Sequence, residues 1–189
     1  MTEVPTLQTR RLLLRRWRAA DHEPFALINR DPAVMEFFPN PLTAEESSRL
    51  IDRAEAHFGQ HGFGPWAVEL KDTGAFIGYI GLVIPGFEAA FTPCVEIGWR
   101  LASSHWGRGL ATEGARAVVD HAFRVVRLPA LVSFTVPANL RSRRVMEKLA
   151  MTHDPAEDFD HPNLPIGHPL SPHVLYRLAA RDALANIPE

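Results

Sequence analysis

The chain has 189 residues and a formal net charge of −2 at pH 7, with 46% hydrophobic and 22% charged residues. This length and balance fit one globular domain and exclude a disordered, collagen-like or coiled-coil chain. The nearly neutral charge argues against nucleic-acid binding, which usually requires a strongly basic face. No apolar run approaches the roughly 18 residues that a membrane helix needs, so we also expect no membrane partner.

The number of cysteines indicates the redox state of the compartment in which the protein resides. Cys94 is the single cysteine of the chain, so an intrachain disulfide is excluded and a reducing environment is favoured. Residues 1–17 carry several arginines and lack the apolar core of a secretory signal. These two observations predict a cytoplasmic location.

The first predicted elements are a strand and two helices. Residues 9–17 predict the strand, and a short helix follows Asp21, which is a candidate N-cap. Thr43 and Glu46 have the spacing of a capping box. The helix that they open is predicted to end at Gly59.

Strands dominate the middle of the chain. Residues 65–70 and 75–84 flank a turn sequence and predict a β-hairpin. A further strand is predicted over 94–101, followed by a glycine-containing turn over 102–109. The apolar residues between 111 and 126 have helical spacing and predict the most regular helix.

The last third of the chain completes the pattern. A strand over 130–136 and a helix over 139–149 precede an irregular stretch over 154–172 and a final strand over 173–178. The order of elements predicts an α/β (α+β) fold, a mixed sheet with helices on both faces. The strand, helix and strand between residues 94 and 136 are a candidate right-handed crossover.

The turn over 102–109 is the first candidate binding site. It leads into a helix N-terminus, where unpaired amides and the helix dipole attract phosphate. Gly107 and Gly109 permit a tight turn and a close approach, and Arg108 adds positive charge. A plain turn between a strand and a helix is the alternative interpretation.

The amino-acid sequence of this region resembles that of a known family. Residues 95–123, VEIGWRLASSHWGRGLATEGARAVVDHAF, resemble the signature of the GCN5-related N-acetyltransferases (GNAT). Ser104 replaces the Gln or Arg that usually opens the family's phosphate turn. The segment WGRGLATEG is similar to the corresponding segment of the RimJ/RimL branch, whose members acetylate ribosomal proteins. Residues 9–21 and 136–151 resemble two further family segments, and the likeness extends over 8–179.

The resemblance implies a fold and an activity. The fold would be a mostly antiparallel sheet, splayed between the family's fourth and fifth strands, in one N-acetyltransferase domain over 8–179 with a tail over 180–189. The reaction would move an acetyl group from acetyl-CoA to a primary amine by direct attack, with a protein N-terminal α-amine as the acceptor in the RimJ/RimL branch. Dimers are frequent in that branch, so a homodimer is one expectation.

Two other functions stay open from the sequence. The fold hosts many acceptors, so a small-molecule amine or an antibiotic is the nearest alternative substrate. A non-catalytic domain that binds acyl-CoA for regulation is an alternative from another class.

The resemblance also implies which residues hold acetyl-CoA. Asn139 would bind the pantetheine amide, although a helix N-cap explains it equally well. Thr112 would donate to the pyrophosphate, or be an ordinary helix residue. The full set of expected cofactor-binding residues is Trp99, Arg100, Leu101, Trp106, Gly107, Arg108, Gly109, Leu110, Ala111, Thr112, Asn139 and Ser142.

Two residues are expected to act in catalysis. Glu96 resembles the strand glutamate that serves the family as general base, and burial in an apolar strand would raise its pKa. Its alternative is a structural glutamate paired with an arginine on a neighbouring strand. Many relatives carry an acidic tyrosine where this chain has Met146. That departure leaves Ser142, or a water, to protonate the thiolate; the alternative for Ser142 is an exposed helix serine.

The C-terminal third is rich in histidine, aspartate and proline. The histidines between 153 and 173 fit no standard zinc spacing, so we expect no metal. In the family this region borders the acceptor, and Asp158 or Asp160 could attract a cationic amine. Phe87 and Phe91 are candidates for the core or for the acceptor wall, with the core as the default.

Overall fold

The computed structural model describes residues 5–185. The chain forms two compact units. The first comprises the residues up to Val83 together with Gly98–Val118, and the second comprises Ile84–Ile97 and the residues from Val119 onward. Within the described range, no helix is both long enough and apolar enough to cross a membrane.

The strands of the first unit neighbour one another in chain order. They are β1 (Leu7–Gln8), β2 (Leu12–Arg15), β3 (Pro65–Leu70), β4 (Phe76–Val83) and β5 (Glu96–Leu101), of which β5 begins in the second unit. The pairs from β1 to β4 are antiparallel. Gly78 allows close contact in this sheet, since a Cβ there would lie 2.1 Å from the carbonyl oxygen of Arg100. The predicted hairpin is therefore confirmed.

Three helices belong wholly or mostly to the first unit: α1 (His22–Arg30), α2 (Ala44–His61) and α3 (Leu110–Asp120). The predicted capping box is present, because the Thr43 hydroxyl accepts from the Glu46 amide and the Glu46 carboxylate accepts from the Thr43 amide. The predicted end at Gly59 is wrong. The helix continues to His61 and ends at Gly62, whose φ of +76° closes the last turn.

Asp21 occupies the predicted N-cap position of α1, but its side chain does not cap the helix. Its carboxylate makes no capping hydrogen bond to that helix. It instead accepts two hydrogen bonds from the buried guanidinium of Arg15, at 2.7 and 2.9 Å. A buried ion pair with two hydrogen bonds satisfies both groups, so this partner prevails over the helix amides.

The second unit contains the remaining elements. Its strands are β6 (Ala130–Thr135), β7 (Thr152–His153), β8 (Phe159–Asp160) and β9 (Pro172–Ala179), and its helices are α4 (Leu140–Lys148) and α5 (Ala180–Ala185). Strand β9 pairs antiparallel with β6, β7 and β8. The stretch that we predicted to be irregular, 154–172, therefore contains the short strand β8, which forms only because β9 supplies its backbone partners.

The start of β5 pairs parallel with β6, and the ladder consists of one residue pair, Glu96 opposite Val132. The amide of Val132 donates to the carbonyl of Val95 at 2.9 Å. This short ladder agrees with the opening that the resemblance implies between these strands, and the mixed α/β fold is confirmed. The extent of the domain, 8–179, and the tail over 180–189 stay predictions; residues 186–189 lie outside the described residues.

Candidate functional site

In the first unit, a run of unpaired backbone amides marks the turn before α3. Gly107 and Gly109 have φ values of +71° and +77°, which glycine adopts without strain. The first helical hydrogen bond joins the Glu113 amide to the Gly109 carbonyl. Among the described residues, the amides from Gly107 to Thr112 find no acceptor. Such amides at a helix N-terminus form a binding site for an anion.

Trp106 fixes this turn from behind. Its indole Nε1 donates to the carbonyl of Leu101 at 2.9 Å. Its ring packs against the apolar cluster that contains Ile28, Val34 and Met35. The expected contribution of Trp106 is therefore support by its side chain, whereas the exposed Arg108 and the adjacent amides face solvent.

Arg11 also lies at this turn, although no motif of the turn itself indicated it. Its guanidinium Nε donates to Glu113 Oε2 at 2.7 Å, and its Nη2 lies 3.7 Å from where a Cβ on Gly109 would be. Burial works against the charge of Glu113, but hydrogen bonds from Thr9 and Arg11 lower the pKa of its carboxyl. A glutamate in the first turn of a helix that follows a glycine turn is a signal that could have indicated a basic partner.

Several expected cofactor ligands of this unit are buried. The Arg100 guanidinium donates to Asn29 Oδ1 at 2.6 Å and lies 4.1 Å from the centre of the Phe38 ring. Any contact of Arg100 with a cofactor would therefore use its backbone, and the same holds for the buried Leu101. Thr112 is also buried, and its hydroxyl has no partner within the described part of the chain.

In the second unit, Glu96 is a half-buried carboxylate without an ionic partner. Desolvation by the surrounding protein raises its pKa to about 8. Across residues 5–185, no side chain forms a hydrogen bond or an ion pair with it. The alternative of a structural pair with an arginine is therefore wrong. A carboxylate with a raised pKa can accept a proton near neutral pH.

Asn139 is the N-cap of α4. Its Oδ1 accepts from the Ser142 amide at 3.2 Å, and its Nδ2 donates to Thr135 Oγ1 at 3.0 Å. An amide nitrogen carries two N–H donors, so one remains for a ligand. The half-buried Ser142 hydroxyl has no partner among the described residues, whereas Met146 is fully buried in the core.

Aromatic side chains form a second cluster in this unit. We call Phe87, Phe91, Phe134, Phe159, His161 and His173 the aromatic cluster; each ring contacts others, and each residue is half-buried. The default assignment of Phe87 and Phe91 to the core is thus wrong in part. Asp158 accepts from His153 at 2.7 Å, and so it is already paired. Within the described range, no group of three or more His, Cys, Asp or Glu could hold a metal ion.

The comparisons with known proteins agree with this architecture. Residues 11–152 match the family model of the acetyltransferase (GNAT) domain. An acetyltransferase from Agrobacterium tumefaciens is 31% identical, with a TM-score of 0.74 over 94% of this chain and 96% of its own. An FsC-acetyl coenzyme A-N(2)-transacetylase from Aspergillus fumigatus is 33% identical over 160 residues, which are 79% of this chain and 66% of its own.

A structure of RimJ from Mycobacterium smegmatis in complex with CoA-disulfide shares the fold at a TM-score of 0.71, with 20% identity over 96% of this chain and 94% of its own. The family model covers most of the chain, and its match agrees with the mixed α/β fold and the short ladder between β5 and β6. The chain therefore belongs to the GNAT family and is an N-acetyltransferase with acetyl-CoA as its cosubstrate.

Proposed function

We propose that this enzyme acetylates the primary amine of a small molecule, with Glu96 as the general base. The observation that carries the proposal is the half-buried carboxylate of Glu96, which has no ionic partner among the described residues and a pKa raised to about 8. The amine nitrogen forms a bond to the thioester carbonyl carbon and gives up one proton to Glu96, directly or through water. The carbon–sulfur bond breaks, and CoA leaves as a thiolate that must gain a proton.

The amides from Gly107 to Thr112 are suited to the pyrophosphate of acetyl-CoA, and they support its assignment to this turn. Arg108 and Arg11 add positive charge beside them. The backbone of Trp99, Arg100 and Leu101 belongs to the strand along which the pantetheine arm would pair, in the manner of an added strand.

Asn139 and Ser142 are proposed to act at the pantetheine end of the cosubstrate. One N–H of Asn139 Nδ2 donates to Thr135 Oγ1, and the other is suited to donate to a pantetheine carbonyl. The Ser142 hydroxyl is the proposed proton donor to the thiolate. The position where relatives carry tyrosine is occupied by the buried Met146, which cannot donate a proton.

One observation favours a small acceptor. A cavity of about 460 Å³ opens beside Phe87, a volume typical of small-molecule sites. A protein N-terminal α-amine is the second candidate, favoured by the likeness of the WGRGLATEG segment to the RimJ/RimL branch. The cytoplasmic location and the homodimer stay predictions.

The acceptor class can be tested by measuring release of free CoA thiol from acetyl-CoA. Small primary amines should be compared with short peptides that begin with alanine or serine, at equal concentrations and saturating acetyl-CoA. We expect turnover with amines and a kcat/KM for peptides about tenfold lower, a difference of about 1.4 kcal/mol in transition-state binding. A preference for peptides would contradict the small-molecule assignment and support the second candidate.

A further inference from the structure

The aromatic cluster lies beside Glu96 on one face of the sheet. Glu96 is directly opposite Val132 in the parallel ladder, and so their side chains share a face. Phe134 is two residues further along β6 and faces the same side, because side chains alternate along a strand. The proposed base and the ring of Phe134 therefore lie on the same face of the sheet, on the adjacent strands β5 and β6 and offset by two residues.

Strand β9 extends this surface. Leu175 is opposite Phe134, and His173 precedes it by two residues, which places the imidazole on the face of Phe134. The two ring centres are 6.0 Å apart. Phe159 is opposite His173 in the ladder between β8 and β9, and its ring centre lies 5.5 Å from that of Phe134.

The connection after β4 completes the cluster from outside the sheet. Phe87 contacts His161 with a centroid separation of 4.8 Å, and Phe91 contacts Phe159 at 4.7 Å. Aromatic rings in a protein core are normally inaccessible to solvent, yet each of these six residues is partly exposed. Phe87 also forms one wall of the open cavity of about 460 Å³. The cluster therefore offers ring faces and edges to a molecule from solution.

The charges around the cluster favour a cation over an anion. Desolvation lowers the pKa of both His161 and His173 and so favours the neutral form of both imidazoles. Glu88 lines the cavity and is exposed, and Asp160 lies near His173. Arg177 shares the face of Val132, but its guanidinium is paired with Glu157 at 2.7 Å.

We propose that the aromatic cluster is the acceptor pocket and that it selects a small primary amine that carries an aromatic ring. An incoming ring would stack edge-to-face on the exposed rings, an arrangement that stabilises aromatic pairs beyond the burial of apolar area. The ammonium form of the amine is attracted to ring faces and to carboxylates. It must release one proton to solvent before the neutral amine attacks the thioester and gives a second proton to Glu96. This inference rests on the proposed function, because it names the substrate class for the base Glu96.

The test compares 2-phenylethylamine with ethylamine, which carries the same amine without the ring. kcat/KM is measured for both amines at saturating acetyl-CoA, and binding of 2-phenylethylamine to the CoA-loaded enzyme is measured by calorimetry. We expect wild type to prefer the ring-bearing amine by at least about tenfold. Phe87→Ala and His161→Ala should each reduce that preference at least about threefold, because kcat/KM should fall more for 2-phenylethylamine than for ethylamine.

His61→Ala is the matched control, because His61 is also a half-buried imidazole that contacts two other rings, those of His57 and Phe63. This control should leave the preference unchanged. Phe87 lies in a connection outside the sheet, and circular dichroism and affinity for CoA would show that its variant is folded.

The outcomes separate this inference from the proposed function. Equal kcat/KM for the two amines in wild type, or equal losses for both in the variants, would overturn the aromatic pocket and leave acetyl transfer to amines intact. Ring-specific calorimetric binding without turnover would support the pocket and contradict the proposed reaction. A higher kcat/KM for a peptide with an N-terminal phenylalanine than for 2-phenylethylamine would overturn the assignment to a small molecule.

Discussion

Arg11 and Glu113 form a 2.7 Å ion pair that joins the residue before β2 to the first turn of α3. Thr9 and the Arg11 amide donate to the same carboxylate, at 2.6 and 2.8 Å. The guanidinium is thereby held beside Gly109, at the turn where the amides lack acceptors within the described part of the chain. Glu113 thus positions a cation at the proposed pyrophosphate site.

We predict that Arg11→Gln weakens binding of CoA about three- to tenfold, because one positive charge near the pyrophosphate is lost. Calorimetric titration with CoA at low and at high salt measures the effect, which should shrink as salt screens the charge. Arg16→Gln is the control, since Arg16 also pairs with a glutamate, Glu55, on the same unit. Equal losses in both variants would rule out a specific role for Arg11.

Gly109→Val should weaken binding of CoA at least about tenfold, or about 1.4 kcal/mol. The φ of +77° strains any residue with a branched side chain, and the added carbons would also crowd a phosphate at the turn. Gly74→Val serves as the control, because Gly74 has a similar φ of +71° in the hairpin turn and open space around it. Unchanged affinity in a folded Gly109→Val protein would refute the assignment of the turn.

Glu96→Gln should lower kcat at least about tenfold, since general-base catalysis typically contributes about 10²–10⁴-fold. The KM for acetyl-CoA should stay within about twofold, because proton removal follows cosubstrate binding. The acidic limb of the wild-type pH profile should have a midpoint near pH 8 and should be lost in the variant. Measuring both proteins with the same amine cancels the titration of the amine itself.

The matched control for catalysis is Glu45→Gln, which removes a carboxylate that is 82% exposed and lies on α2. It should leave both kcat and the pH profile unchanged. Near-wild-type kcat in Glu96→Gln would assign proton removal to water or to an amine that arrives neutral.

Glu96→Gln should also change the thermal stability of the protein, by an amount that depends on pH. Burial raises the pKa of Glu96 from 4.5 to about 8. Between these values the folded chain holds a proton that the unfolded chain has released, so the stability of wild type falls as pH rises through this window. Glu96→Gln should therefore have a Tm higher than wild type at pH 8.5, by about 3 °C or more, and a smaller difference at pH 5. Thermal unfolding that shows a lower Tm for the variant at pH 8.5 would contradict the desolvated carboxylate.

Local sequence signals predicted most of the elements and one part of the site. The capping box at Thr43 and the tight turn at Gly107 and Gly109 depend on neighbours within a few residues, and so these local structures were visible in the sequence. The position at which α2 ends was not visible in the sequence. Gly59 and Gly62 are equally suited to end a helix by composition, but only Gly62 adopts a positive φ.

Long-range contacts account for what the sequence could not show. Phe87 and His161 meet although 74 positions separate them, so no local pattern reports their contact. Arg100 stands in the strand expected to bind the cosubstrate, yet its side chain is held by Asn29. Asn29 lies on α1, 71 positions earlier, and its partner is decided by packing rather than by spacing.

The amides that lack acceptors at the start of α3 have a practical consequence for the solution in which the enzyme is kept. Such a group of N–H donors does not distinguish a nucleotide pyrophosphate from inorganic sulfate or phosphate. Ions from a concentrated buffer would therefore occupy the turn and compete with CoA. Dissociation constants measured in phosphate or sulfate would be larger than those measured in chloride, although the protein itself is the same.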